Sequence, residues 1–234
     1  MHKDLREYAG EYGIALSDGQ IGQFARYETL LLQWNERMNL TAITDEQGIR
    51  IKHFLDSLLV ASVVQLPQAA ALLDVGTGAG FPGVPLKILR QDLSLTLMDS
   101  LRKRVAFLEE LSRELDQDNQ CVHARAEELG RQPQWREVFS IVTARAVSAL
   151  PSLCEYCLPF VRVGGVFVAL KGPSIDAEVR DAENAMKQLG ARLEDVKSLD
   201  LPDGSKRTFV LIQKISQTPA KFPRRGVRIT KYPL

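Results

Sequence analysis

Three glycines spaced two apart, Gly76, Gly78 and Gly80, follow the apolar run Leu72-Leu73-Asp74-Val75. A strand that runs into glycines and then into a helix turns tightly and brings its backbone close to a ligand. The spacing is G-x-G-x-G, not the G-x-G-x-x-G of the dinucleotide fingerprint. Gly83 adds a fourth glycine, and Pro82 suits the first turn of the helix expected next. Asp99 lies 23 residues after Gly76, at the end of the next apolar run. An acid there accepts both hydroxyls of a ribose. The same carboxylate, with Ser100, also suits the cap of a helix starting near Leu101. The two roles are compatible.

Two more positions fall in order. Ala126-Glu127 follow a third short strand, where they would border an adenine edge, and Arg145 follows a fourth, where its loop reaches the reacting end of a cofactor. Each has a plain alternative: Glu127 opens a solvated helical turn, and Arg145 is a surface charge. Strand, glycine loop and ribose acid together describe an adenosine site without a demanding pyrophosphate grip. That suits S-adenosylmethionine better than a nicotinamide dinucleotide. Three rival readings stand beside it: a nicotinamide oxidoreductase, a non-catalytic RNA-binding protein on a retained fold, and a small-molecule methyltransferase.

The elements that must position these residues divide in two. Through about residue 65 the pattern is helical. Ser17 and Gln20 make a capping box before Ile21, Phe24, Leu31, Trp34 and Met38, and a second amphipathic stretch runs from Asp45 to Gln65. From Ala69 the pattern alternates. Strands are expected at 72–75, 93–98, 120–123, 138–143 and 165–170. Helices are expected at 101–115, 154–161 and 174–189. A final hairpin joins 192–201 to 207–214 across Pro202-Asp203-Gly204. This predicts an α/β fold with a mostly parallel, doubly wound sheet. The divisions are a helical N-terminal extension at 1–67, a main domain at 68–218 and a basic tail at 219–234.

The 234 residues suffice for one α/β domain with a small appendage. Apolar residues are 45% and charged residues 25%, which argues against disorder. No apolar run approaches a membrane span, and the charged start Met1-His2-Lys3-Asp4 lacks a signal-peptide core, so a cytoplasmic location is expected. Three cysteines make no even disulfide set. Cys154 and Cys157 are read as a shared buried helix face, not as metal ligands, and no metal is expected. The formal charge is +1, but Lys221, Arg224, Arg225, Arg228 and Lys231 crowd the last stretch, and setting them aside leaves the rest net acidic.

The residues also carry a family resemblance. Its landmarks are Met38 to Thr41, His53 to Leu58 (HFLDSL), Asp74 to Pro85 (DVGTGAGFPGVP), Asp99-Ser100, Arg125 to Glu128, Ala144 to Ala146, Lys171-Gly172 and Phe222 to Arg225. The chain resembles the RsmG family, also called glucose-inhibited division protein B, from Asn39 onward. The Phe81-Pro82-Gly83 continuation of the glycine loop is the specific part. The resemblance implies a class I methyltransferase, Rossmann-like, with a seven-stranded sheet ending in an antiparallel hairpin. The implied reaction is methyl transfer from S-adenosylmethionine to N7 of one guanine in 16S rRNA, position 527 in the usual rRNA numbering, with S-adenosylhomocysteine as product. Cofactor contacts are implied at Gly76, Phe81, Ala126, Glu127 and Arg145, beside Gly78 and Asp99 from the loop itself. The family pattern has Arg before the motif histidine, where this chain has Lys52, which keeps the charge but loses the two-pronged fork.

Guanine N7 is unprotonated at neutral pH, so this chemistry needs no general base. A donor bonded to N7 would occupy the attacking lone pair, so Arg145 should hold cofactor, phosphate or guanine O6. His53 and Asp56, three apart, share a helix face. They border the RNA pocket in one reading and stabilise the helix beneath the sheet in the other. Candidate RNA contacts are Lys52, Lys171, Lys221, Arg224, Arg225 and Arg228, with Arg102, Lys103 and Arg104 secondary and Phe222 and Tyr232 as possible stacking surfaces. The partner expected is 16S rRNA or the small ribosomal subunit, and the protein is expected to be a monomer.

Overall fold

The computed structural model describes residues 3–234; the reading of Met1 and His2 falls outside them. Seven strands form one sheet: β1 Ala71–Val75, β2 Ser94–Asp99, β3 Gln120–His123, β4 Phe139–Arg145, β5 Val161–Lys171, β6 Ala191–Asp200 and β7 Lys206–Lys214. Their order is β3-β2-β1-β4-β5-β7-β6. The first five run parallel, while β7 pairs antiparallel with both β5 and β6. β1 and β4, at the middle of the sheet, are almost wholly buried, as expected where both faces are covered. The order reverses between β1 and β4, and ligands of open α/β sheets bind at the carboxyl ends of strands beside such a switch.

Two apolar cores lie on opposite faces of the sheet. One joins β1, β2 and the helix Gly83–Leu89 to the N-terminal helices through Tyr27, Leu31, Phe54 and Leu58. The other gathers Leu150, Cys154, Phe160, Met186 and Phe222 on the second face. The N-terminal helices are fastened to the sheet domain as well as packed on it. The capping box at Ser17 forms, and Gln20 Nε2 also donates to the Ile88 and Leu89 carbonyls that end the helix Gly83–Leu89. Trp34 Nε1 donates to Glu110 at 3.0 Å.

Several expectations need correction in detail. The helix expected at 154–161 is Leu150–Cys157, followed by a single 3-10 turn at Leu158–Phe160. Pro151 sits in its first turn, where a missing N–H is harmless, and Pro159 follows its end. β5 accordingly begins at Val161. The helix expected at 174–189 is two short ones, Asp176–Asp181 and Glu183–Gln188. The second amphipathic run is broken by a π-helical segment, Ile49–Leu55.

The basic stretch after 218 packs against the domain. Phe222 is buried, and Arg136 donates to the carbonyls of Thr218, Pro219 and Phe222. Arg224 forks onto the buried Glu155, and the short helix Gly226–Lys231 buries Ile229. Cys154 and Cys157 are fully buried and unpaired.

Candidate active site and cofactor cleft

β1 delivers the chain to the glycine turn, and the Met98 carbonyl of β2 receives the N–H groups of Gly76 and Thr77 at 2.8 and 3.1 Å. Gly76 has φ +65°, and a Cβ there would lie 2.7 Å from Val147 Cγ2. Gly78, at φ +62°, has nothing within 4 Å of the same position, so its face of the turn is open. The turn is anchored from below by Asp74, whose carboxylate accepts from Thr77 Oγ1 (2.6 Å), Gly83 N (2.9 Å) and Thr143 Oγ1 (2.9 Å). Burial outweighs those donors and pushes the Asp74 carboxyl up to about 6. The sequence reading gave Asp74 no role of its own. An acid just before a glycine turn, with threonines and glycine N–H groups to satisfy it, was the available signal.

Asp99 reaches both the glycine turn and the approach to the next helix. Oδ1 accepts from Leu101 N at 2.9 Å, one residue ahead of the helix Arg102–Glu114, whose first turn has no side-chain cap, so the expected capping role is not formed; Oδ2 accepts from Gly78 N at 3.0 Å. Arg104 approaches Oδ2 at 3.3 Å. A carboxylate has about four acceptor sites, so capacity remains for a hydroxyl. Between this acid and the loop opens a cleft of about 300 Å³. Of the expected cofactor residues Gly76, Asp99, Ala126 and Glu127 line it and Gly78 does not, and Tyr156 and Thr230 join them. A glycine turn, a carboxylate with acceptor capacity and a cleft of this size fit an adenosine group. The last two lining residues went unforeseen because neither belongs to a motif.

Arg145 and Phe81 lie outside the lining of that cleft. Phe81 is buried beneath the loop, stacked between Tyr27 (centroids 5.2 Å apart) and His53 (4.6 Å). Arg145 Cζ stands 4.9 Å from the Phe81 ring centroid. Its guanidinium donates to Asp56 Oδ2 at 2.8 Å and to the Lys52 carbonyl at 3.0 Å, and meets His53 Nδ1 at 3.3 Å. Arg145 is therefore a held residue, not a surface charge. His53 and Asp56 do face one partner, as their spacing implied, and the π-helical segment carries Lys52 and His53 to it.

Arginine only donates, so His53 Nδ1 must accept, which leaves the proton on Nε2 to bond Thr41 Oγ1 at 2.7 Å. Burial, and then the Arg145 charge, push the His53 imidazole down to about 4. It is neutral at physiological pH. Asp56 is fully buried and has a second partner that the sequence did not disclose, Arg207 of β7, which donates through Nε. The only available hint was that a buried acid flanked by cations needs compensation.

The remaining candidates scatter. Lys52 pairs with Asp203 at 3.3 Å, and Lys171 with Glu178 at 2.7 Å. Arg224 is committed to Glu155. Lys221, Arg225 and Arg228 are exposed, and with Arg131 and Lys231 they edge a broad surface concavity of about 790 Å³. Tyr232 is exposed there, whereas Phe222 is core. Among the described residues no group of three His, Cys, Asp or Glu side chains is arranged to hold a metal, and no helix is long and apolar enough to cross a membrane.

A sheet in this order, with a glycine turn after β1 and an acid closing β2, defines a class I S-adenosylmethionine-dependent methyltransferase. The fold matches that of a SAM-dependent methyltransferase from Aquifex aeolicus, with TM-score 0.52 and 16% identity over 74% of this chain and 96% of that one. The family model described as rRNA small subunit methyltransferase G (GidB) matches residues 20–209. A curated relative named ribosomal RNA small subunit methyltransferase G, from Acetivibrio thermocellus, is 47% identical over 100% of this chain and 97% of its own. Another of the same name, from Alkaliphilus oremlandii, is 48% identical over 98% and 97%. The chain belongs to the rRNA small subunit methyltransferase G family.

Proposed function

We propose that the protein methylates N7 of one guanine in 16S rRNA, using S-adenosylmethionine seated in the cleft between Gly76, Asp99 and Glu127. The observation that carries this reading is the pairing of an adenosine-shaped cleft with a nearby cationic cluster that contains no competent base. When bound, S-adenosylmethionine would supply a sulfonium methyl open to in-line attack by guanine N7, with the thioether S-adenosylhomocysteine as the leaving group. Asp99 would take the ribose hydroxyls, and Ala126 with Glu127 the adenine edge.

His53 is neutral, but its lone pair faces a guanidinium and its proton faces Thr41, so it serves as a positioning group. Cys154 and Cys157 are buried, with thiols pushed upward by burial, so neither offers a nucleophile. N7 needs neither a base nor a covalent partner. The protein's work is then orientation, which can supply roughly 7–11 kcal/mol of barrier lowering. Arg145, steered by Asp56, would hold a phosphate or guanine O6 and leave the N7 lone pair free. The protein would act as a cytoplasmic monomer on the rRNA or the small subunit.

The test is transfer of labelled methyl from S-adenosylmethionine to small ribosomal subunits, with the product mapped by cleavage at N7-methylguanine. Label at a single guanine N7 is expected. Label on another base or atom, or none, overturns the reading.

A further inference from the structure

The helix Gly226–Lys231 has two sides with different neighbours. On one side Thr230 lines the adenosine cleft, its Oγ1 is 3.5 Å from Tyr156 Oη, and a Cβ on Gly226 would fall 2.2 Å from the Glu127 carboxylate. On the other side Arg225, Arg228 and Lys231 are exposed, and no ion pair holds them among the described residues. The concavity they share with Arg131 and Lys221 has no acidic lining residue, while Arg225 and Lys231 also edge an adjoining hollow, beside Gly226 and Thr230, that holds Glu127 and Glu128. The acid-free concavity suits the phosphates of a nucleic-acid backbone, and its affinity would fall steeply with salt.

The helix is six residues long, and Ile229 is its one buried side chain. The segment before it is fixed far more firmly. Phe222 is core, Arg136 ties three carbonyls, and Arg224 with its own backbone N–H closes on Glu155. A short, sparsely buried helix on a rigid mount has low local stability, and whatever binds one side of it orders the other.

We propose that this helix is a shared wall coupling the two ligands: RNA phosphates bound to Arg225, Arg228 and Lys231 steady Thr230 and Gly226 against the cleft and tighten the hold on the cofactor. This rests on the methyltransferase reading above and extends it. By linkage the effect is reciprocal, so the cofactor also tightens RNA binding. It also determines what trimming the chain would do. A cut at Pro219 removes Phe222 and Arg224 and opens the core, and a cut before Gly226 removes a cleft wall, so neither separates RNA binding from cofactor binding.

The test uses the full chain and measures the Kd of S-adenosylhomocysteine by calorimetry, with and without a protein-free 16S rRNA transcript. The expected tightening is ~5-fold or more, the lower end of ordinary coupling between linked sites. In the triple variant Arg225→Gln, Arg228→Gln, Lys231→Gln the ratio of the two Kd values should fall to about 1, with thermal unfolding run alongside to verify folding. Gly226→Ala keeps the charges but crowds Glu127, and it should weaken S-adenosylhomocysteine severalfold even without RNA.

The proposal is overturned by equal affinity with and without RNA, by coupling that survives in the triple variant, or by Gly226→Ala binding like wild type. Coupling produced by whole subunits but not by the transcript would assign the basic surface to a ribosomal protein and overturn the RNA assignment. If the protein binds S-adenosylhomocysteine and methylates guanine without coupling, only this inference fails. If it does neither, the methyltransferase reading fails first.

Discussion

Asp56 and Glu155 are both fully buried and both meet arginine, and the arginines are about equally enclosed, with side-chain exposures of 13% for Arg145 and 16% for Arg224. What differs is how the donors are shared. Glu155 takes Arg224 through Nε and Nη2 at 2.6–3.0 Å and adds the Arg224 backbone N–H at 2.7 Å, a closed arrangement with one partner. Asp56 is divided between Arg145 and Arg207, which come from different strands, and Arg145 further contacts a carbonyl, an imidazole and an aromatic face. A bidentate pair with no other contacts is a fastener. A guanidinium spread over several weaker partners beside a ligand site can exchange one of them for substrate. Burial alone would have classed the two together.

The largest predicted effect probes the fastener. Arg224→Met strands the Glu155 carboxylate, and urea unfolding should show a loss of about 3–5 kcal/mol. Next comes Asp99, which is nearly as buried but faces the cleft. Asp99→Asn should weaken S-adenosylhomocysteine by about 1.5–3 kcal/mol in calorimetry, the worth of hydrogen bonds to a charged group, with a much smaller change in unfolding. Arg145→Lys keeps the charge facing Asp56 but not the fork, so kcat/KM for methylation should fall roughly 10-fold, about 1.4 kcal/mol, while the melting curve barely moves. If Arg145→Lys instead destabilised the fold as much as Arg224→Met, the distinction between fastener and exchangeable contact would collapse.

The smallest effect at neutral pH concerns protons. His53 is held near 4 against an ordinary value of 6.5, so the unfolded chain binds more protons between those values. Its contribution to stability is complete above about 6.5 and is lost as pH falls through about 4. Asp74 has the opposite sign. Raised to about 6, it favours the folded state most below 3.8 and loses that contribution as pH rises through 6. The difference in urea stability between wild type and His53→Gln isolates the histidine. It should shrink as pH falls from 6.5 to 4, and a constant difference would mean that His53 titrates normally.

Much of the fold was legible because its signals are local. Short apolar and helical runs, the Ser17 capping box and the glycine turn each need only a few neighbouring residues, and β3 falls on Gln120–His123 as expected. Asp99 was legible by its distance from the loop. What stayed hidden depends on distant partners. Arg207 sits in an ordinary hairpin strand, and nothing near it in the chain points to Asp56. The tail read only as a basic stretch, because its charge was visible and the matching Glu155 was not. The split of the positive charges into committed (Arg224, Lys171) and exposed (Arg225, Arg228) sets could be seen only once the acids were placed.

The shared carboxylate also bears on the order in which the molecule assembles. Asp56 lies 89 residues from Arg145 and 151 from Arg207. Each contact must be reached by closing a long loop whose entropy is lost before any attraction is gained. Until β7 docks against β5, Asp56 lacks one of its counter-charges and has reason to stay hydrated. The sheet core, built largely from neighbouring strands, can therefore consolidate while the reactive corner is still open to water. A folding experiment following Tyr27 and Phe81 burial should see the corner close in the last resolved phase, after the parallel strands gain protection from exchange.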